Sequence, residues 1–179
     1  MKKQIICVLF LFLSGFSMGQ AFEKGGNYIT LGYGFDPFYH PLGVYGAGPI
    51  VLGYEYGVTD VVGIGRFGAG GTVGTTFYPG TYSNGVAYLG YRISLLAKVA
   101  YHFEFNVPKM DVYAGVGVGG HFGNEPYFNG FGSYGLRSRV RVATHVFAGI
   151  RYYFTPAFGV YAEAGYGLSA LNGGMVFHF

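Results

Sequence analysis

Six charged side chains sit where an alternating chain would turn them inward: Glu55, Arg92, Lys98, Arg141, Arg151 and Glu163. Each lies opposite the apolar residues of its own β-patterned segment. Carboxylates facing guanidinium and ammonium groups in a confined space can gate an ion, relay a proton or neutralise one another. Burial makes pairing necessary, because an isolated buried charge is far more costly than a paired one. Glu55 and Glu163 are each expected to meet interior cations, with Lys98 and Arg151 as the leading partners. In a narrow enclosure this cluster reads as a plug of side chains ahead of a gate or a proton path.

Other chemistry is harder to place. Gly63-Ile-Gly65-Arg-Phe-Gly68 spells a dinucleotide fingerprint, but that motif needs a following helix and an acidic residue about twenty positions on. Here a glycine-rich stretch follows, and Tyr88-Leu-Gly-Tyr91 stands where the acid should be. With 34 glycines in the chain, such a match arises by chance. His40, His102, His121, His145 and His178 show no metal-ligand spacing. His102 and His145 point inward and read as core hydrogen-bonders. No local serine–histidine pairing suggests acyl transfer. Catalytic, cofactor and metal sites are therefore all expected to be absent.

The elements that position these residues begin after an export segment. Met1-Lys2-Lys3 is basic, Ile5 to Phe16 is apolar, and Ser17-Met18-Gly19-Gln20-Ala21 supplies small residues for cleavage after Gly19 or Ala21. Residues 1–21 read as a cleavable signal peptide and residues 22–179 as one domain. Cys7, the single cysteine, lies inside the apolar run, so the mature domain has no thiol chemistry. Without Lys2 and Lys3 the formal charge is +1, which disfavours nucleic acid as a partner. Aromatic residues make up 20% and charged residues only 11%, yet beyond the export segment no apolar run is long enough to span a membrane as a helix. An exported, charge-poor chain of this kind has one membrane solution, a closed barrel.

The chain does divide into alternating segments of about ten residues. Strands are expected over residues 27–35, 49–57, 61–67, 87–103, 111–119, 139–154, 160–168 and 171–179. That count is even, as single-chain bacterial barrels require. The third strand is ambiguous, with either Arg66 or Phe67 outward. Long loops are expected over 36–48, 68–85 and 120–138, and short turns elsewhere, which puts the short turns and both termini on the periplasmic side. The fold class is thus all-β, an eight-stranded antiparallel up-and-down transmembrane barrel.

A lipocalin-like soluble barrel has the same strand count but the opposite polarity. Here glycine, tyrosine and isolated charges oppose the apolar stripe, too little polar surface for a wet exterior, so the apolar face reads as lipid-facing. The interior should be filled by side chains, with glycines opposite Tyr113, Tyr153 and Tyr161 making room for the rings. Aromatic stretches at Phe38–Pro41, Thr76–Tyr82 and Tyr127–Phe131 suit contact with an extracellular protein or glycan, or equally an aromatic collar on outer-leaflet headgroups.

Tyr54-Glu-Tyr-Gly-Val-Thr-Asp60, Lys98-Val-Ala-Tyr-His-Phe103, Asp111-Val-Tyr-Ala-Gly115, Ala148-Gly-Ile-Arg-Tyr-Tyr-Phe154 and Tyr161-Ala-Glu-Ala-Gly-Tyr-Gly167 occur in order. Together they resemble the small outer-membrane β-barrel (porin-like) family that includes OmpA- and OmpX-like barrels, over nearly the whole mature chain. The resemblance implies insertion in the outer membrane of a Gram-negative cell and, commonly, no assigned biochemical activity. The chain lacks the periplasmic peptidoglycan-binding domain of OmpA-like proteins, so wall tethering does not carry over. Asn172, Gly174, Phe177 and Phe179 resemble the closing signal read by the barrel-assembly machinery. The expected role is structural or surface-interacting, with outer-membrane lipid as a partner. Narrow passage of small solutes and lipid chemistry at the rim are the alternatives.

Overall fold

The computed structural model describes residues 21–35, 46–82, 84–105, 107–128 and 134–179. Most of the expected export segment, the aromatic stretch 38–41 and residues 129–131 lie outside them. Eight strands follow in chain order: β1 (Asn27–Phe35), β2 (Ala47–Gly57), β3 (Gly65–Thr81), β4 (Ala87–Phe103), β5 (Met110–Phe128), β6 (Tyr134–Thr155), β7 (Phe158–Tyr166) and β8 (Leu171–His178). Each pairs antiparallel with its neighbour in sequence, and β8 returns to β1, closing the ring. No helix occurs among the described residues.

The closing seam runs from Tyr28 opposite His178 to Phe35 opposite Leu171. Beyond it, the Asn27 N–H donates to the Phe179 carbonyl at 3.1 Å, and the Phe179 N–H donates back at 3.0 Å. Phe179 is thus held in the seam by backbone pairing.

Side-chain alternation sorts the wall into two faces. Leu31, Leu52, Val99, Val116, Ile150 and Met175 stand exposed on the outer face. Thr30, Glu55, Lys98, Tyr113, Arg151 and Val176 are buried inside. Aromatic rings cluster on the outer face near the short turns, including Phe67 against Tyr101 at 4.9 Å and Phe158 against Phe177 at 5.4 Å. Tyr33, Phe35, Tyr91 and Tyr166 stand exposed near the opposite end. Tyr91 and Tyr101 are separated along β4 by about 33 Å of strand, or about 25 Å of height at the usual tilt. That is the height of the apolar band of a membrane barrel.

Three expectations are corrected. The third strand is not residues 61–67 followed by a loop; β3 continues to Thr81 and pairs residue for residue with β4. Likewise most of 120–138 is strand, split between β5 and β6, which pair up to Phe128 opposite Tyr134. Glycines suggested loops there, but inside a barrel they mark close approach. A Cβ on Gly68 would lie 2.4 Å from Glu55 Oε1, so the residue is small because a carboxylate occupies its space. The seventh strand is shifted toward the short turn, leaving Leu168 outside it and turned inward. The ambiguity in β3 resolves with Phe67 outward and Arg66 on the inner face, where it pairs with Glu104. Tyr78, expected in an aromatic loop, is instead a buried residue of β3.

The wall is uneven as a result. β7 and β8 have 9 and 8 residues, whereas β5 and β6 have 19 and 22. The outermost rung of β7 is Tyr166 opposite Val146, so β6 continues past its neighbour.

Closure depends on bare backbone at the seam. A Cβ on Gly174 would meet the Leu31 carbonyl oxygen at 2.1 Å and Gly32 Cα at 2.5 Å, both rigid backbone atoms. Gly174→Val should therefore lose the fast-migrating, heat-modifiable folded band on gels, whereas Ala162→Val, on the exposed outer face of the adjoining strand, should keep it.

Candidate functional site: the charged interior

The interior charges come from four strands whose inward positions converge on the axis. Glu55 on β2, Lys98 and His102 on β4, Asp111 on β5 and Arg151 on β6 form one cluster. Lys98 Nζ donates to Glu55 Oε2 at 2.8 Å, and Arg151 Nη2 donates to the same oxygen at 2.7 Å. The second carboxylate oxygen meets His102 Nε2, while His102 Nδ1 lies 2.9 Å from Asp111 Oδ1. Arg151 Nη1 faces Asp111 Oδ2 at 3.4 Å. Arg151 is 0% and Glu55 1% exposed. The expected partnership of Glu55 with Lys98 and Arg151 is therefore what the geometry contains.

Aromatic rings wall this cluster. The Arg151 guanidinium lies over the Tyr113 ring at 4.6 Å and the Tyr28 ring at 5.5 Å, adding attraction between cation and ring face. Gly149 lies beside Tyr113, whose Cζ would fall 2.5 Å from a Cβ at that position. At the mouth beside the termini, Phe22 stacks on His102 with ring centroids 3.5 Å apart and on Tyr28 at 4.7 Å. Lys24 pairs with Asp60 across the rim and holds that carboxyl below its usual range, so the contact is lost as pH falls through the lowered value. The short N-terminal segment thereby covers this mouth.

Glu163 departs from expectation. It binds neither Lys98 nor Arg151 directly; its neighbours are Asn172 Nδ2 at 3.1 Å, Tyr113 Oη at 3.2 Å and His145 Nε2 at 3.3 Å. Register explains the difference, because Glu163 faces Gly149 across β6 whereas Arg151 faces Tyr161. Asn172 also donates to Ser169 Oγ at 2.9 Å, so this residue of the expected assembly signal holds the interior. Phe177 and Phe179 face outward, and Gly174 lies in the seam.

Arg92 and Arg141 do not join the Glu55 cluster either. Val51, Leu96, Ala143 and Leu168 form a buried apolar layer across the barrel, and the two arginines lie on the far side of it. Arg141 Nη2 donates to both oxygens of Glu125 at 2.7 and 2.8 Å. Arg92 lies over the Tyr78 ring at 5.8 Å. The six expected residues are thus divided between two compartments, with Glu163 in its own polar pocket on the inner side.

Sequence reasoning missed Asp111, His102 as a bridge, and Glu125. Asp111 shares the parity of Tyr113, so its inward aim was readable; its partners were not. The structure also joins Ser94 Oγ to His121 Nδ1 at 2.8 Å, a pairing 27 residues apart in sequence. Both residues lie on the inner face, away from the lipid-facing wall. Among the described residues no group of histidine, cysteine or carboxylate side chains is arranged to hold a metal.

Breaking a buried ion pair leaves an uncompensated charge and costs about 3–5 kcal/mol. Glu55→Gln should destabilise the detergent-solubilised barrel on that scale. Glu163→Gln, whose partners are Asn172, Tyr113 and His145 rather than a lysine or arginine, should cost about 1–3 kcal/mol. The chain has no tryptophan, so urea titrations read by heat-modifiable mobility or circular dichroism make the comparison.

No family model and no curated protein matches the chain. Solved structures do. The N-terminal β-barrel domain of Pseudomonas aeruginosa OprF is similar with a TM-score of 0.52 and 19% identity, over 87% of this chain and 98% of that one. Ail, the attachment invasion locus protein of Yersinia pestis, in complex with the heparin analogue sucrose octasulfate, is similar with a TM-score of 0.52 and 18% identity, over 88% of this chain and 100% of that one. Ail in a phospholipid bilayer nanodisc gives 0.51 and 17%, over 87% and 100%. At such identities the likeness is one of fold. Strand number, ring order and antiparallel pairing therefore place this chain in the fold of the small eight-stranded outer-membrane barrels.

Proposed function

We propose that the chain is an outer-membrane barrel, exported with removal of the segment ending near residues 19–21, whose role is structural and surface-interacting rather than catalytic or conductive. The observation that carries this reading is the filled interior. A fully buried ion cluster, an apolar layer above it and Phe22 below it occupy the path a solute would take. The apolar outer face, its aromatic bands and the likeness to OprF and Ail support the membrane setting. The long strands β3 to β6 support a surface role, because they exceed the 9–11 tilted residues that a bilayer requires. An anchor alone would not need them. The Ser94–His121 pair does not favour lipid chemistry at the rim, since it opens to the interior.

Two measurements test this. The only native cysteine is Cys7, so Asn84→Cys and Asp60→Cys report on opposite ends without background from the mature domain. An impermeant maleimide should label Asn84→Cys on intact cells and Asp60→Cys only after lysis; the reverse pattern would invert the topology. In planar bilayers the refolded protein should show no sustained, well-resolved openings, and steady unitary conductance would favour the porin-like alternative.

A further inference from the structure

The step in the wall leaves a strand edge. The last rung of β7 is Tyr166 opposite Val146, and Tyr166 belongs to the aromatic band farther from the short turns. β6 continues from there to Tyr134, beyond the apolar band, paired with β5 and without a register break. Backbone groups of an antiparallel strand point alternately to its two sides. The Tyr153 N–H donates to the Lys109 carbonyl, so the odd-numbered residues of β6 bond on the β5 side. The Thr144 and Val146 carbonyl oxygens face the other way, where a Cβ on Gly167 or Gly165 would stand. The N–H and C=O groups of Ser138, Val140 and Val142 therefore point away from β5, and no described residue pairs with them there.

The side chains flanking this edge differ by face. On the outer face Val140 and Val142 are 73% and 79% exposed, more than any other large apolar residue described. On the inner face Arg137 and Arg139 stand exposed at alternate positions. Natural sheets blunt an open edge with proline, a bulge or charge. At the far margin of the raised sheet, β3 carries Pro79 beyond its last rung with β2, Ala47 opposite Phe77. Residues 134–143 of β6 carry neither a proline nor a bulge. Their charge is selective instead. A second copy related by two-fold symmetry would set arginine against arginine, whereas a strand of opposite sign would be admitted.

We infer that this edge of β6 takes up an extended segment of a partner protein as an added strand. Acidic side chains of that segment lie beside Arg137 and Arg139, and the apolar ones alternating with them lie beside Val140 and Val142. Backbone hydrogen bonds supply the affinity and the alternation supplies the selectivity. The inference rests on the surface-interaction reading and names the class of partner, a polypeptide that is extended and acidic on one face.

The test uses the full mature chain refolded in phosphatidylcholine nanodiscs and a dye-labelled peptide of four Glu-Val repeats, read by fluorescence anisotropy. Saturable binding, weakened by salt, is expected, and a Lys-Val peptide should not bind. Arg137→Gln with Arg139→Gln should weaken binding roughly threefold to tenfold. Val140→Pro, which removes an edge donor, should weaken it about tenfold or more. Lys24→Gln with Lys109→Gln, at the opposite end, should leave it unchanged, and gel mobility establishes that every variant is folded. Peptides N-methylated on alternate amides test the mode without altering the barrel. Methylation of one set, valine or glutamate, should abolish binding, and methylation of the other should spare it. Equal behaviour of the two methylated peptides, binding of the Lys-Val peptide, unchanged binding by the arginine or proline variant, or equal loss in the lysine variant would overturn the inference. So would pairing of detergent-solubilised barrels in sedimentation that Val140→Pro abolishes, which assigns the edge to a second copy. A chain whose Asn84→Cys variant labels on intact cells, yet which ignores the peptide, would lose this edge and keep its proposed surface role.

Discussion

The hydrogen bonds between β1 and β8 set the terms for everything else in the molecule. A strand edge in hydrocarbon exposes backbone groups that no solvent can satisfy, each at a cost of several kcal/mol. Bringing the last strand back to the first removes both edges at once. It also engages Phe179, which exchanges backbone bonds with Asn27. Closure with eight strands then leaves an interior wide enough only for side chains.

A narrow interior with a lipid exterior inverts the ordinary arrangement of a folded protein. Apolar side chains go outward, so the core must be built from polar groups that satisfy each other. Glu55 succeeds because three cationic or hydrogen-bonding partners, Lys98, His102 and Arg151, reach its two oxygens from two other strands. Arg151 succeeds because Glu55 and Asp111 meet its guanidinium while Tyr113 and Tyr28 cover its faces. Such a cluster contributes less to net stability than its number of contacts suggests, because desolvation opposes the Coulomb attraction. Its removal one partner at a time is nonetheless costly. The result is an interior filled by side chains, and the apolar layer around Leu168 separates this cluster from the arginines above.

Above the membrane band the constraints relax, and that is where the chain departs most from a minimal barrel. β3 to β6 extend well past β7 and β8, so one side of the wall rises above the other. There Arg141 pairs with the buried Glu125 and Arg92 is buried beside the Tyr78 ring, whereas Arg137 and Arg139 stand exposed.

Much of this was legible in the residues alone. Strand number, ring polarity and the inward aim of Glu55, Lys98 and Arg151 follow from a side-chain period of two, which is a local property of extended backbone. β4 was readable to its ends because Ile93, Leu95, Ala97, Val99, Tyr101 and Phe103 hold one parity while Arg92, Ser94, Lys98 and His102 hold the other. β3 and the outer halves of β5 and β6 were not. Gly70 and Gly123 look like loop residues until the neighbouring strand that presses on them is known. Which charges meet was equally hidden. Glu55 and His102 are 47 residues apart, and only the stagger of the closed ring brings them together, while the same stagger keeps Glu163 from Arg151. Local alternation thus determined which way each side chain points; the tertiary structure decided what it meets, because register in a closed sheet is a property of all eight strands at once.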